Sequence, residues 1–283
     1  MTRREKDEDN DINNNKNSKN NNESYILEEG DIYFFYRPKK NSPEVKAIED
    51  IRRFFMVTSS EKRYGNKSND GKNQKQFYRL FVIGKKALPE IRKSEARASE
   101  RYWARVGGIF EELNDLTTEL YSDEFRKGDA ARPVGTGKYI IVKHQNHAEI
   151  AYVLETPNEP GEAQEELGIE KEASFIMSVI NPKNPAPQGF PSTEESPKYP
   201  DKILEKFDEK ENFVSLGSDT SLIDYLDAQV ILIGAREGKD VIKRDLGIDI
   251  DYDKTKKDSE VIKKLRLQNQ NVPTKPLTEG KFA

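Results

Sequence analysis

Two imidazoles, His144 and His147, are all the histidine the chain contains, and they stand three residues apart. Imidazole titrates near neutral pH, so such a pair can supply a general base or two metal ligands. A metal would need further donors, and the nearest acids are Glu149 and Glu155. No His-Glu-x-x-His pattern and no cysteine accompanies them, so no zinc motif is present and no metal is expected. Absence of cysteine also removes thiolate catalysis and any disulfide framework.

Gly135-Thr136-Gly137-Lys138 suggests a phosphate loop but fails its test. Arg132 stands where the Walker pattern needs its first glycine, and Tyr139 stands where it needs Ser or Thr. The run reads instead as a connector in which Arg132 and Lys138 can meet an anion. Asp249, Asp251, Asp253 and Glu260 fit positions of a calcium loop. Lys254 replaces its turning glycine and Lys256 adds a second opposing charge, so this match is rejected. No nucleophile elbow and no dinucleotide glycine fingerprint occurs, and no cofactor is expected.

Aromatic and basic residues interleave in Tyr33-Phe34-Phe35-Tyr36-Arg37, Arg52-Arg53-Phe54-Phe55, Phe77-Tyr78-Arg79 and Arg101-Tyr102-Trp103-Ala104-Arg105. Aromatics on a sheet stack bases while Arg and Lys neutralise phosphates, so this pattern fits nucleic acid. The competing reading is a core: strands alternate faces, and adjacent aromatics must point to opposite sides. Phe34-Phe35 and Phe54-Phe55 therefore predict a sheet covered on both faces.

Charge is unevenly distributed. Residues 24–108 hold 19 basic and 11 acidic side chains, a net of +8, whereas residues 109–227 hold 11 and 25, a net of −14. A basic segment of this kind suits an anionic partner, and equally suits an acidic half of the same chain. The chain as a whole is 34% hydrophobic and 35% charged, so the folded part is smaller than its 283 residues. No apolar run reaches the roughly 18 residues that cross a bilayer. The charged N-terminus lacks a signal-peptide core, so a cytoplasmic location without membrane attachment is expected.

The elements that must position these groups divide the chain. Residues 1–23, rich in asparagine, are expected to be a disordered tail. Strands are expected over 30–38, 54–57, 77–84, 139–142, 149–154, 174–180 and 228–233, with a hairpin turn at Gln145-Asn146. Trp103, Val106, Phe110, Leu113, Leu116 and Leu120 recur at three- and four-residue spacing, which predicts a long helix over 91–121. Short helices are expected at 161–168, capped by Gly168, at 201–207 and at 236–246. The expected fold is α+β, with mainly antiparallel strands in two lobes and the long helix between them. A basic lobe spans 24–127, an acidic lobe 128–246, and a charged, poorly ordered extension 247–283.

Gly30-Asp31-Ile32-Tyr33-Phe34-Phe35-Tyr36-Arg37-Pro38, Tyr78-Arg79-Leu80, Ala131-Arg132-Pro133, His147-Ala148-Glu149-Ile150-Ala151-Tyr152 and Ser178-Val179-Ile180-Asn181-Pro182 resemble a group of prokaryotic hypothetical proteins. The resemblance covers residues 29–235 and implies no activity. Gly30-Asp31-Ile32-Tyr33 also looks like the first strand of small-barrel toxin endoribonucleases, a match of four residues that transfers no function.

The expected function is a non-enzymatic binding or regulatory protein whose basic N-terminal lobe meets an anionic partner such as nucleic acid. Arg37, Arg79, Arg132 and Lys138 are the candidate anion contacts. The alternative is a hydrolytic enzyme with its site at the lobe junction, around Arg132, His144 and His147. A third reading is a protein partner on the acidic half.

Overall fold

The computed structural model describes residues 24–40, 44–64, 76–91, 101–121, 130–185, 195–217, 220–248, 250, 261–264 and 272–283. The Asn-rich head and nearly all of the calcium-like run lie outside them. Among the described residues nine strands form one sheet: β1 (Tyr25–Pro38), β2 (Ile51–Arg63), β3 (Phe77–Ile83), β4 (Arg101–Phe110), β5 (Arg132–His144), β6 (His147–Thr156), β7 (Glu172–Ile180), β8 (Phe213–Ser215) and β9 (Gln229–Glu237). Their order is β6-β5-β1-β2-β3-β4-β9-β7-β8, and β6 also pairs with β7. Eight strands thus close into an antiparallel barrel, with β8 a short addition on β7. Closure leaves no long unpaired edge among the described strands, which suits strands this rich in aromatics.

This barrel overturns the two-lobe α+β expectation. The halves are sealed by two ladders, β1 with β5 and β4 with β9, so the strands of both build one wall. Nor is there a long helix among the described residues. Residues 101–110 are β4, and helix α1 (Leu113–Tyr121) begins after it. In β4, Ala104 and Val106 alternate into the barrel, and their spacing relative to Trp103 and Phe110 imitates a helical stripe. Gly107 and Gly108 fall inside that expected helix. They mark a β-bulge instead, because the β3 ladder slips by one residue between Leu80, opposite Gly108, and Phe81, opposite Val106.

The connector expected near 131–138 is likewise strand. Gly135 and Gly137 sit inside β5, and a Cβ on Gly137 would come 2.0 Å from the Val153 carbonyl oxygen. The hairpin turn falls at Gln145-Asn146 as expected, and Gly168 ends its short helix with φ at 68°. Strands over 54–57, 77–83, 174–180 and 229–233 also stand where the sequence puts them.

The aromatic doublets give the two-sided coverage they imply. Phe34, Tyr36, Phe54, Met56, Phe81, Tyr152 and Phe175 fill the barrel. Tyr33, Phe35, Phe55 and Val57 point outward and are buried under α1 together with residues 261–264 (α5) and α6 (Lys275–Glu279). Ile140, Val142, Ala151 and Val153 are covered by α4 (Lys239–Leu246). Two shorter helices, α2 (Glu162–Glu166) and α3 (Asp201–Leu204), sit in the connections. No helix among the described residues is long and apolar enough to cross a membrane.

Candidate functional site

Antiparallel succession decides which groups meet. The ends of β1 and β3 and the starts of β2 and β4 lie on one rim of the barrel. The starts of β1, β3 and β9 and the end of β2 lie toward the opposite mouth.

At that opposite mouth the wall turns polar. Arg79 shares the inward face of β3 with Phe81 and Ile83, so its side chain enters the barrel and is fully buried. Its Nη1 and Nη2 donate to the Glu28 carboxylate at 2.5 and 2.9 Å, and its Nε donates to Asp224 at 2.8 Å. Glu28, equally buried, also accepts from the Tyr139 hydroxyl at 2.6 Å and the Thr220 hydroxyl at 2.5 Å. Arg63 completes the cluster. Its Nε lies 3.0 Å from Glu28, and its fork donates to both Asp224 oxygens at 2.6 and 2.7 Å. Both guanidiniums stack on Phe77, at 4.4 and 4.7 Å from the ring centre. Burial opposes the charge on Arg79, but Glu28 and Asp224 outweigh it and hold the group cationic. Asp224 lines two grooves. One of about 240 Å3 lies beside Arg63, Phe77, Ile109 and Glu111, and one of about 380 Å3 lies beside Lys198, Tyr225 and Asp227.

The other candidate anion contacts also face partners within the chain. Arg37 is buried, stacks on Phe55 and donates to the carbonyls of Glu119 and Leu120 at the end of α1. Arg132 donates to the backbone oxygen of Ala283. Lys138 pairs with Asp31 at 2.6 Å and Glu61 at 3.1 Å. Arg105 pairs with Asp227. Basic groups of the first half thus meet acids of the second, at Arg63, Arg79 and Arg105, inside one molecule.

The histidines lie on the outer wall, where β5 turns into β6. His144 Nδ1 shares a 2.7 Å hydrogen bond with the Ser24 hydroxyl, and the two rings meet edge-on at 5.5 Å. His147 Nε2 lies 2.7 Å from Glu149, a buried carboxylate that also accepts from Ser174 at 3.0 Å and from Arg236. Arg132 starts the 13-residue strand that His144 ends, about 40 Å away at strand rise. The structure therefore does not bring Arg132 to the histidines, and the three form no common site. No group of three or more His, Asp or Glu among the described residues is arranged to hold a metal.

This cluster gives a pH prediction. Burial and the Arg236 charge lower the His144 imidazole. Burial alone would raise Glu149, but bonds from His147 and Arg236, the Arg236 charge and the Ser174 hydroxyl hold it below the usual carboxylate range. Both groups bind fewer protons folded than unfolded, so their contribution is complete above their unfolded values and is lost on acidification. The His144 share goes first, as pH falls below the ordinary imidazole value of about 6.5, and the Glu149 share follows below about 4.5. In urea titrations, His144→Gln is expected to flatten the loss of stability between about pH 7 and pH 5 and to leave the lower branch in place.

Comparison with protein-family models, with curated proteins and with solved structures finds no match. The functional reading rests on this chain's own geometry.

Proposed function

We propose that the barrel is a non-enzymatic binding protein whose partner is an extended anion, the backbone of a single-stranded nucleic acid, laid along the rim opposite the Arg79 cluster. The observation that carries this reading is the alignment of four strand ends. β1 delivers Lys39 and Lys40, β2 begins beside Arg52 and Arg53, β3 delivers Lys85 and Lys86, and β4 begins at Arg101. Gly84 bonds to the Trp103 carbonyl at 2.9 Å, which carries the β3–β4 register to this edge. Lys85 stacks on Tyr102 at 4.3 Å. Tyr102 and Trp103 are half-buried, whereas the aromatics of the β1 and β2 runs are enclosed. Of the four interleaved runs, the β4 run is the one that keeps aromatic rings and cations together at the surface. Glu49 and Asp50, just before β2, offset part of the rim's charge.

The partner class is thus the one the composition suggests, on different residues. Stacking on Tyr102 and Trp103 would tolerate any base, and the cations would track phosphates, so weak sequence preference is expected. The test is a variant with Lys85→Glu, Lys86→Glu and Arg101→Glu, titrated with short single-stranded RNA by fluorescence anisotropy. Losing three phosphate contacts lowers the slope of log affinity against log salt by about 2. A variant that binds with the wild-type affinity and slope would remove the rim from the account.

A further inference from the structure

The Asp224 cluster carries a second assignment, independent of the rim and at the other end of the barrel. Three donors converge on one carboxylate: Arg63 Nη1 at 2.6 Å, Arg63 Nη2 at 2.7 Å and Arg79 Nε at 2.8 Å. A fork of this kind is the geometry by which arginine receives carboxylates and phosphates. The receptor is rigid. Glu28 holds both guanidiniums from β1, Tyr139 and Thr220 hold Glu28, and Phe77 lies against both cations. Its occupant is of another kind. Asp224 follows a short 3-10 turn in the connection before β9, its side chain is 22% exposed, and it faces both grooves. The neighbouring Leu226 is 52% exposed, so this connection covers the mouth without being enclosed by it.

We infer that Arg63 and Arg79 form an oxyanion receptor at the barrel mouth which Asp224 fills from within, and that a small compound with a terminal phosphate or carboxylate takes its place. The apolar body of that compound lies in the 240 Å3 groove against Phe77 and Ile109. Asp224 acts as an internal competitor, so the wild type binds weakly and binding lifts the Asp224 connection.

The probes are phenyl phosphate and benzoate, followed by calorimetry at constant ionic strength on the full chain. Asp224→Ala is expected to bind at least one of them about tenfold more tightly than the wild type, because no internal carboxylate has to be displaced. The preferred probe tells phosphate from carboxylate. Adding Arg63→Met to that variant abolishes the gain, whereas the Lys85/Lys86/Arg101 rim variant binds both probes as the wild type does. Should Asp224→Ala not fold in chloride, refolding in acetate or phosphate is the readout: recovery supports the receptor and no recovery overturns it. Equal binding by wild type and Asp224→Ala, or a gain that survives Arg63→Met, also overturns it.

Discussion

Replacing Arg79 by methionine is expected to destabilise the protein by about 3–5 kcal/mol in urea unfolding, the cost of stranding a buried charge whose partner has gone. Glu28 is fully buried and takes two of its hydrogen bonds from that guanidinium. Without Arg79 the carboxylate keeps Tyr139, Thr220 and the more distant Arg63 Nε. A loss of that size is a large part of the whole stability of a domain. The cause is the stranded charge and not lost packing, so Glu28→Met in the same background is expected to recover much of the loss, because an apolar pair needs no partner. If Arg79→Met costs under about 1 kcal/mol, or the double variant is the worse of the two, Glu28 is not confined as described.

The second large effect is expected at the two glycines where the ladders slip. β1 shifts register against β2 between Glu29 and Gly30, and β5 shifts against β6 between Thr136 and Gly137. A Cβ would lie 1.9 Å from the Ser59 oxygen at Gly30 and 2.0 Å from the Val153 oxygen at Gly137. Both obstacles are backbone, which no side-chain rotation relieves. Gly137→Ala is therefore expected to cost about 3 kcal/mol or more, at or beyond the upper end for overpacking. Gly247→Ala is the control: it has open space around it and sits in the left-handed region with φ at 68°, so it pays backbone strain of about 1 kcal/mol. Equal losses at the two positions would contradict the β5–β6 register.

Much of the strand inventory was legible because most strands carry a short apolar run at their centre. The doublets Phe34-Phe35 and Phe54-Phe55 were the most informative local signal, since each pair needs two apolar faces and the barrel supplies an interior and a helix-covered exterior. β4 was hidden, and so was the first half of β5. In β4, inward Ala104 and Val106 combine with Trp103 and Phe110 into a helical period, and the glycine pair that should have argued against a helix reads equally well as a bend. In β5, Pro133, Gly135 and Gly137 look like a turn, because nothing local shows that a neighbouring backbone presses on Gly137. Closure was also out of reach, since the β1–β5 and β4–β9 pairings join residues 96 to 132 positions apart.

The same non-locality limited the candidate sites. Arg79 stood out in sequence as a surface contact, and the alternation with Phe81 and Ile83 that turns it inward was available. Its partner Asp224 is 145 positions away and belongs to no motif. Glu28, an acid at the head of a strand that continues through Ile32, Phe34 and Tyr36, was the one local sign of a buried charge. The rim of lysines and arginines was present only as a segment net charge until the strand ends were aligned.

The central claim, an extended anion on that rim, is tested most directly by titrating the wild-type chain with a short single-stranded RNA from 50 mM salt upward. Phosphate contacts are strongest at low salt, so the account predicts clear binding at about 50 mM that weakens linearly on a log–log plot as salt rises. Absence of binding at 50 mM, or an affinity indifferent to salt, would contradict it.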